Sequence, residues 1–236
     1  MKRFAGVLLL LVLMVAVPAA LADGTPVTMT FVGVNGINDG HYYVSPYQGT
    51  MTSNGQNSLV TLFCDDFNNE VTWNQTWQAN VTPLSSSDLS NTRYGNPANV
   101  ALLQLSDPYY NTYSAAQLYA QAAWLTMQFN QYLSTDPSQV IALQYAIWDL
   151  FDPNAPTNAG AQAWILSAEQ NYGSVDPNNF ELVTNVGPLA LTGQVQEFII
   201  PTPEPGTLAL LGAGLLGLVF LVRRKAKAES HQQIAA

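Results

Sequence analysis

Two apolar segments, each flanked by basic residues, limit what this chain can fold into. Lys2 and Arg3 precede an apolar run from Phe4 to Val17, and Ala20-Leu21-Ala22 follows. A charged start, a hydrophobic middle and small residues at −3 and −1 are the layout of a secretory signal peptide, expected over residues 1–22. The run is short for a membrane span. At the other end, Leu208 to Val222 carry no charge and are followed by Arg223, Arg224 and Lys225. That pattern predicts a transmembrane helix and basic stop over 207–225 and a cytoplasmic tail over 226–236. The positive-inside rule then leaves everything before the helix outside. The folding unit is therefore an ectodomain over 23–200, joined to the helix by a Pro-rich linker over 201–206.

Charge between residues 23 and 205 is lopsided. Of sixteen acidic residues only Glu229 lies outside 23–205, and of seven basic residues only Arg93 lies inside. Fifteen carboxylates against one guanidinium leave a net charge of −14 and no lysine. Such a surface repels nucleic acid and anionic lipid, which argues against a phosphate-binding role. The absence of lysine also excludes a Lys–Asn isopeptide bond within the domain.

About 180 residues form one ordinary domain with room for a core. From Val27 to Val81, β-branched and aromatic residues alternate between the Gly/Asn clusters "NGINDG" and "SNGQNS". These read as hairpin turns between the strands "VTMTFVGV", "HYYVSPY", "LVTLFC" and "VTWNQTW". The period then changes. Ala115, Leu118, Ala122, Leu125 and Phe129 mark one face of a helix, and "SQVIALQYAIWDLF" and "NAGAQAWILSAEQNY" read as two more. Pro137 suits a first helical turn, and Thr184 to Ile200 returns to strand-like patterning. The fold class expected is α+β: a β-rich sandwich or barrel-like domain with a helical insertion.

The C-terminal segment resembles a known family. Pro203-Glu204-Pro205, a short apolar helix and an end rich in arginine (Arg223, Arg224) look like the PEP-CTERM sorting signal of Gram-negative bacteria. The tail "AKAESHQQIAA" is longer than is usual there. The resemblance implies recognition by a membrane-embedded exosortase and cleavage near Pro203–Pro205. It also implies passage through an inner-membrane-anchored stage to the cell surface or exopolysaccharide matrix, as in a biofilm.

Inside the ectodomain two residues stand out. Cys64 is the single cysteine, so no disulfide partner exists. Gln144 sits in the middle of the apolar stripe Val140, Leu143, Ile147 and Phe151, with Trp148 one turn on, while Asp149, Ala142 and Tyr145 fall opposite. A glutamine centred on a core face costs about 1–3 kcal/mol unless its amide is bonded. "LFCDDF" and "ALQYAIWDLF" together resemble the thioester domains of bacterial surface adhesins, with "AQAAWLTMQF" similar to that family's preceding helix. The resemblance implies that Cys64 is a nucleophile that attacks the Gln144 amide, expels ammonia and leaves an internal thioester. Trp148, Phe63 and Ile147 would shield the bond, and Asp65 or Asp66 would assist proton transfer. The covalent target would be an amine or hydroxyl nucleophile, and the role adhesion rather than turnover as an enzyme.

Other chemistries find less support. A Cys–His pair would need His41, the only exported histidine. Zinc lacks ligands, and neither "DDFNNE" nor "FDPNAPTN" has calcium-loop spacing, so no metal or cofactor is expected. No Gly-rich phosphate loop is present. Tyr42, Tyr43, Tyr47, Tyr109, Tyr110 and Tyr113 could line a sugar-binding surface, although strand aromatics usually pack. The alternative to the thioester is a noncovalent matrix or polysaccharide-binding protein in which Cys64 is a small buried hydrophobe.

Overall fold

The computed structural model describes residues 26–202, together with 212, 214–217 and 219. The expected signal peptide, the Pro-Glu-Pro motif, Arg223, Arg224 and nearly all of the expected membrane helix lie outside the described residues. Among the described residues no helix is long and apolar enough to cross a membrane.

Six antiparallel strands close into a barrel in the order β1-β2-β3-β6-β5-β4. They are β1 (Pro26–Val34), β2 (Tyr47–Ser53), β3 (Gln56–Cys64), β4 (Thr76–Pro83), β5 (Phe180–Asn185) and β6 (Phe198–Pro201). Within residues 26–202, five α-helices fall between β4 and β5: α1 (Pro97–Leu103), α2 (Pro108–Thr112), α3 (Ala115–Tyr132), α4 (Pro137–Phe151) and α5 (Ala161–Asn171). This is the helical insertion that the change of period predicts.

Local chemistry explains most of these elements. In β1, Val27, Met29 and Phe31 are buried while their neighbours are not, the period of two of a strand with one face inward. The β2–β3 turn is built on Asn54 (φ 50°) and Gly55 (φ 74°), the left-handed pair that a two-residue hairpin requires. Ser114 and Gln117 form a reciprocal capping box at the start of α3. Asp136 caps α4 ahead of Pro137, and the helix ends at Asp152, just before Pro153.

Three strand assignments differ from the sequence reading. "HYYVSPY" is a loop, and only its last residue, Tyr47, enters β2. In residues 35–46, Asn35, Asn38 and Asp39 accept hydrogen bonds from the backbone of Ile37, Gly40 and His41. These turns satisfy N–H groups that a ladder would otherwise use. In "VTWNQTW", Gln75 accepts from the Thr72 N–H and Asn74 is left-handed (φ 60°), so β4 begins only at Thr76. Thr184 to Ile200 is not one strand. The end of β5 and the start of β6 are separated by irregular chain containing left-handed Gly187 and Gly193. Helices α1 and α2, at seven and five residues, are too short to show a period.

Helix α4 is buried on nearly every side. Ala142 and Tyr145, expected opposite the core, are 3% and 5% exposed, and only Ile141 and Asp149 of the middle turns are partly open. The helix packs against α3, α5 and the end of β3, so the face opposite the apolar stripe meets protein rather than water.

Candidate functional site

Strand β3 is open to solvent over its first half and ends on three consecutive buried residues, Leu62, Phe63 and Cys64. The helical layer covers what would otherwise be the outer side, with Phe63 edge-on to Phe129 of α3 at 5.1 Å between ring centroids. Cys64 and Gln144 are both fully buried. The Gln144 Nε2 donates to the Cys64 carbonyl at 2.7 Å, and its Oε1 accepts the Ser45 backbone N–H at 3.0 Å. Ser45 also accepts the Cys64 backbone N–H on its hydroxyl at 2.8 Å. The amide of Gln144 is therefore satisfied at both ends, which answers the burial cost raised by its place in the apolar stripe.

The sulfur has two polar neighbours. The Cys64 thiol donates to the Asp66 carbonyl at 3.3 Å, and the Trp148 indole N–H donates to the Sγ at 3.4 Å. Burial pushes the thiol well above its ordinary range, with the Asp66 charge adding to the effect and the indole N–H opposing it. Cys64 thus rests as a neutral thiol, and no imidazole touches it among these partners. Trp148 is itself covered by aromatic rings: Phe67 at 5.2 Å, Tyr145 at 5.3 Å and Tyr42 at 6.0 Å. Ile147 is fully buried in the core on the same helix.

Asp65 and Asp66 are not turn carboxylates at the surface. Both are fully buried, in a cluster that includes Arg93, the lone lysine or arginine between positions 23 and 205, and Glu197. The Arg93 guanidinium pairs with Asp66 and donates to Asn185 Oδ1 at 2.6 Å and to the Val195 carbonyl at 2.9 Å. Asp66 also accepts from Asn69, from the Tyr94 hydroxyl at 3.1 Å and from the Glu197 backbone N–H at 3.1 Å. Glu197 accepts from the Arg93 backbone N–H at 2.6 Å and from the hydroxyls of Tyr119 and Thr184.

Three carboxyl groups thus face one guanidinium out of water, and they cannot all remain ionised. Burial first, then Glu197 and Asp66, drive the Asp65 carboxyl well above the carboxylate range. Neither of its oxygens has a hydrogen-bond partner among the described residues. Asp66 is pushed up to about 6 by burial, with the Arg93 charge pulling the other way.

The remaining sequence candidates scatter. Tyr47 and Tyr110 are buried, while Tyr42 and Tyr43 are 40% and 52% exposed, so the six tyrosines do not share one surface. Among the described residues, no group of three or more His, Cys, Asp or Glu is arranged to hold a metal ion. Sequence reasoning missed Ser45, Arg93, Glu197 and the aromatic cover of Tyr42, Phe67 and Tyr145. One available signal was that an arginine alone among fifteen carboxylates is a natural candidate for internal pairing.

Comparison with known proteins finds a match for the C-terminal segment. Residues 201–225 match the PEP-CTERM protein-sorting motif. The motif implies export and sorting at the cell envelope by an exosortase. No curated protein matches the chain. Among solved structures, the N-terminal thioester domain of a surface protein from Clostridium perfringens is similar at 13% identity. That match covers 76% of this chain and 99% of that one, with a TM-score of 0.38.

Proposed function

We propose that this is an exported surface or matrix protein whose Cys64 and Gln144 form an internal thioester for covalent attachment to a nucleophilic partner. The observation that carries the reading is the fully buried Gln144 amide, hydrogen-bonded to the Cys64 carbonyl and to Ser45. The Gln144 side chain of α4 is thereby bonded to the backbone of Cys64 at the end of β3, in the core and away from water. In this reading the Cys64 thiol attacks the Gln144 carbon and ammonia departs. Trp148 shields the bond and steadies the sulfur, while Phe63 and Ile147 close the apolar surroundings. Asp65, held as a neutral acid, gives a proton to the departing amine and takes back the one the thiol releases, so that the thiol proton in effect leaves on ammonia, and Asp66 holds the thiol through its carbonyl. The target is an amine or hydroxyl on another molecule, exopolysaccharide included. Each molecule reacts once, so the role is adhesion rather than catalysis. After exosortase cleavage near Pro203–Pro205 the domain resides at the surface or in the matrix.

Intact mass of the full chain tests this directly. The mass should be short by one ammonia, methylamine should add at Gln144, and Cys64→Ala or Gln144→Ala should abolish both effects. A full mass with Cys64 open to alkylation after unfolding refutes the thioester. One observation favours a noncovalent matrix module instead: the thiol already has an acceptor in the Asp66 carbonyl, as a permanently reduced buried cysteine would. Polysaccharide binding unchanged by Cys64→Ala supports that second reading.

A further inference from the structure

Ser45 touches both members of the pair, and neither contact is explained by the packing of its own loop. Its hydroxyl takes the Cys64 backbone N–H at 2.8 Å, and its backbone N–H points at Gln144 Oε1 at 3.0 Å. We infer that the Ser45 backbone N–H is the oxyanion donor for acyl chemistry at Gln144. This rests on the thioester reading above and adds the group that stabilises its transition states.

The chemistry places negative charge on that one oxygen in both directions. In bond formation Cys64 Sγ adds to Gln144 Cδ, and the C=O electron pair moves onto Oε1. The C–N bond then breaks, the carbonyl re-forms, and the thiol proton leaves on ammonia. In capture an amine adds to Cδ, the charge returns to Oε1, and the C–S bond breaks. The amine's proton ends on the Cys64 sulfur, leaving a secondary amide at Gln144 and a free thiol. A fixed N–H aimed at Oε1 stabilises both tetrahedral states without reorganising.

The donor is held in place from several sides. Ser45 is fully buried. The preceding Val44 N–H bonds the Ile37 carbonyl at 3.1 Å. Tyr145, the residue after Gln144, donates its hydroxyl to Asp39 of the same loop. The helix that carries the acyl group is thereby tied to the loop that carries the donor. Among the described residues Gln144 Oε1 accepts from Ser45 alone.

The test makes the full-length chain with residue 45 as the α-hydroxy analogue of serine. This turns the Val44–Ser45 amide into an ester and deletes the N–H while keeping the side chain. Methylamine incorporation at Gln144 should slow about 10²- to 10³-fold, the usual effect of removing one oxyanion donor. The ¹³C-edited thioester carbonyl band should move to higher frequency. Ser45→Ala, which keeps the N–H, should lower stability and change the capture rate far less. Wild-type capture kinetics in the ester chain overturn the inference. If that chain does not fold, the wild-type band decides: a frequency equal to that of a simple thioester in hydrocarbon overturns the inference, and a lower one supports it. A wild-type chain at full mass instead removes the thioester reading itself, a separate and distinguishable failure.

Discussion

Replacing Arg93 by methionine removes the only guanidinium among the described residues that faces Asp65, Asp66 and Glu197, while keeping most of the side chain's volume. The Asp66 ion pair is lost, together with the bonds from Arg93 to Asn185 and Val195, and all of them lie out of water. Asp66 keeps Asn69, Tyr94 and the Glu197 N–H, so it is not stripped of donors, but its charge loses its counterion. Removing one partner of a buried pair costs about 3–5 kcal/mol. At about 2–4 °C per kcal/mol for a domain of this size, Tm should fall by about 6–20 °C at pH 7. Urea unfolding monitored by tryptophan fluorescence measures the loss directly. Two controls locate its cause. Lowering the pH from 7 to 5 should shrink the deficit, because protonated Asp66 no longer needs a counterion. Adding Asp66→Asn should recover part of it, because both partners are then gone. A loss below about 1 kcal/mol, or a deficit that stays constant with pH, refutes the assignment of Arg93 as counterion to this cluster.

The same cluster predicts how the wild-type chain responds to pH. With folded Asp66 at about 6 against 3.8 when unfolded, the native state holds a proton that the unfolded chain has released between those values. Stability should therefore rise as pH falls from 7 towards 4, by about 3 kcal/mol from Asp66 alone, with Asp65 acting in the same direction. Below pH 4 the trend should reverse, since Asp136 and Asp88 are held below the ordinary value by hydrogen bonds around Ser138 and Ser90. Chemical unfolding at half-unit pH steps checks both limbs, and a flat or rising profile from pH 4 to 7 contradicts them. Trp148→Phe keeps an aromatic cover but deletes the N–H on the sulfur. Losing about 1.5 kcal/mol of stabilisation of the departing thiolate should slow methylamine capture about tenfold, read by mass spectrometry over time.

Much of the architecture was legible because its causes are local. The Asn54-Gly55 turn and Pro137 behind Asp136 each act within a few residues, and each marks an observed boundary. "HYYVSPY" misled for an equally local reason that composition obscured. The carboxyl and carboxamide groups of Asn35, Asn38 and Asp39 take up backbone N–H groups before a ladder can form. Gln144 drew notice because a polar group on an apolar stripe is a conflict visible in one dimension. Ser45 raised no such conflict, since a serine beside a proline is ordinary loop composition.

From sequence alone came an expected division of the chain, the sorting motif, the α+β order and the pairing of Cys64 with Gln144 as a question. Tertiary structure decided which groups surround that pair. Closure of the barrel aligns β3 with β6, opposing Cys64 to Phe198 and bringing Glu197 against the Asp65–Asp66 step. The helical insertion then lays α4 over the end of β3, and the loop before β2 delivers Ser45 and Tyr42 from the other side. Periodicity and capping report what a residue does within its own turn or strand. The charge state of Asp65, the counterion role of Arg93 and the donor on Gln144 arise between segments far apart in sequence, where only the packed fold sets distance and exclusion from water.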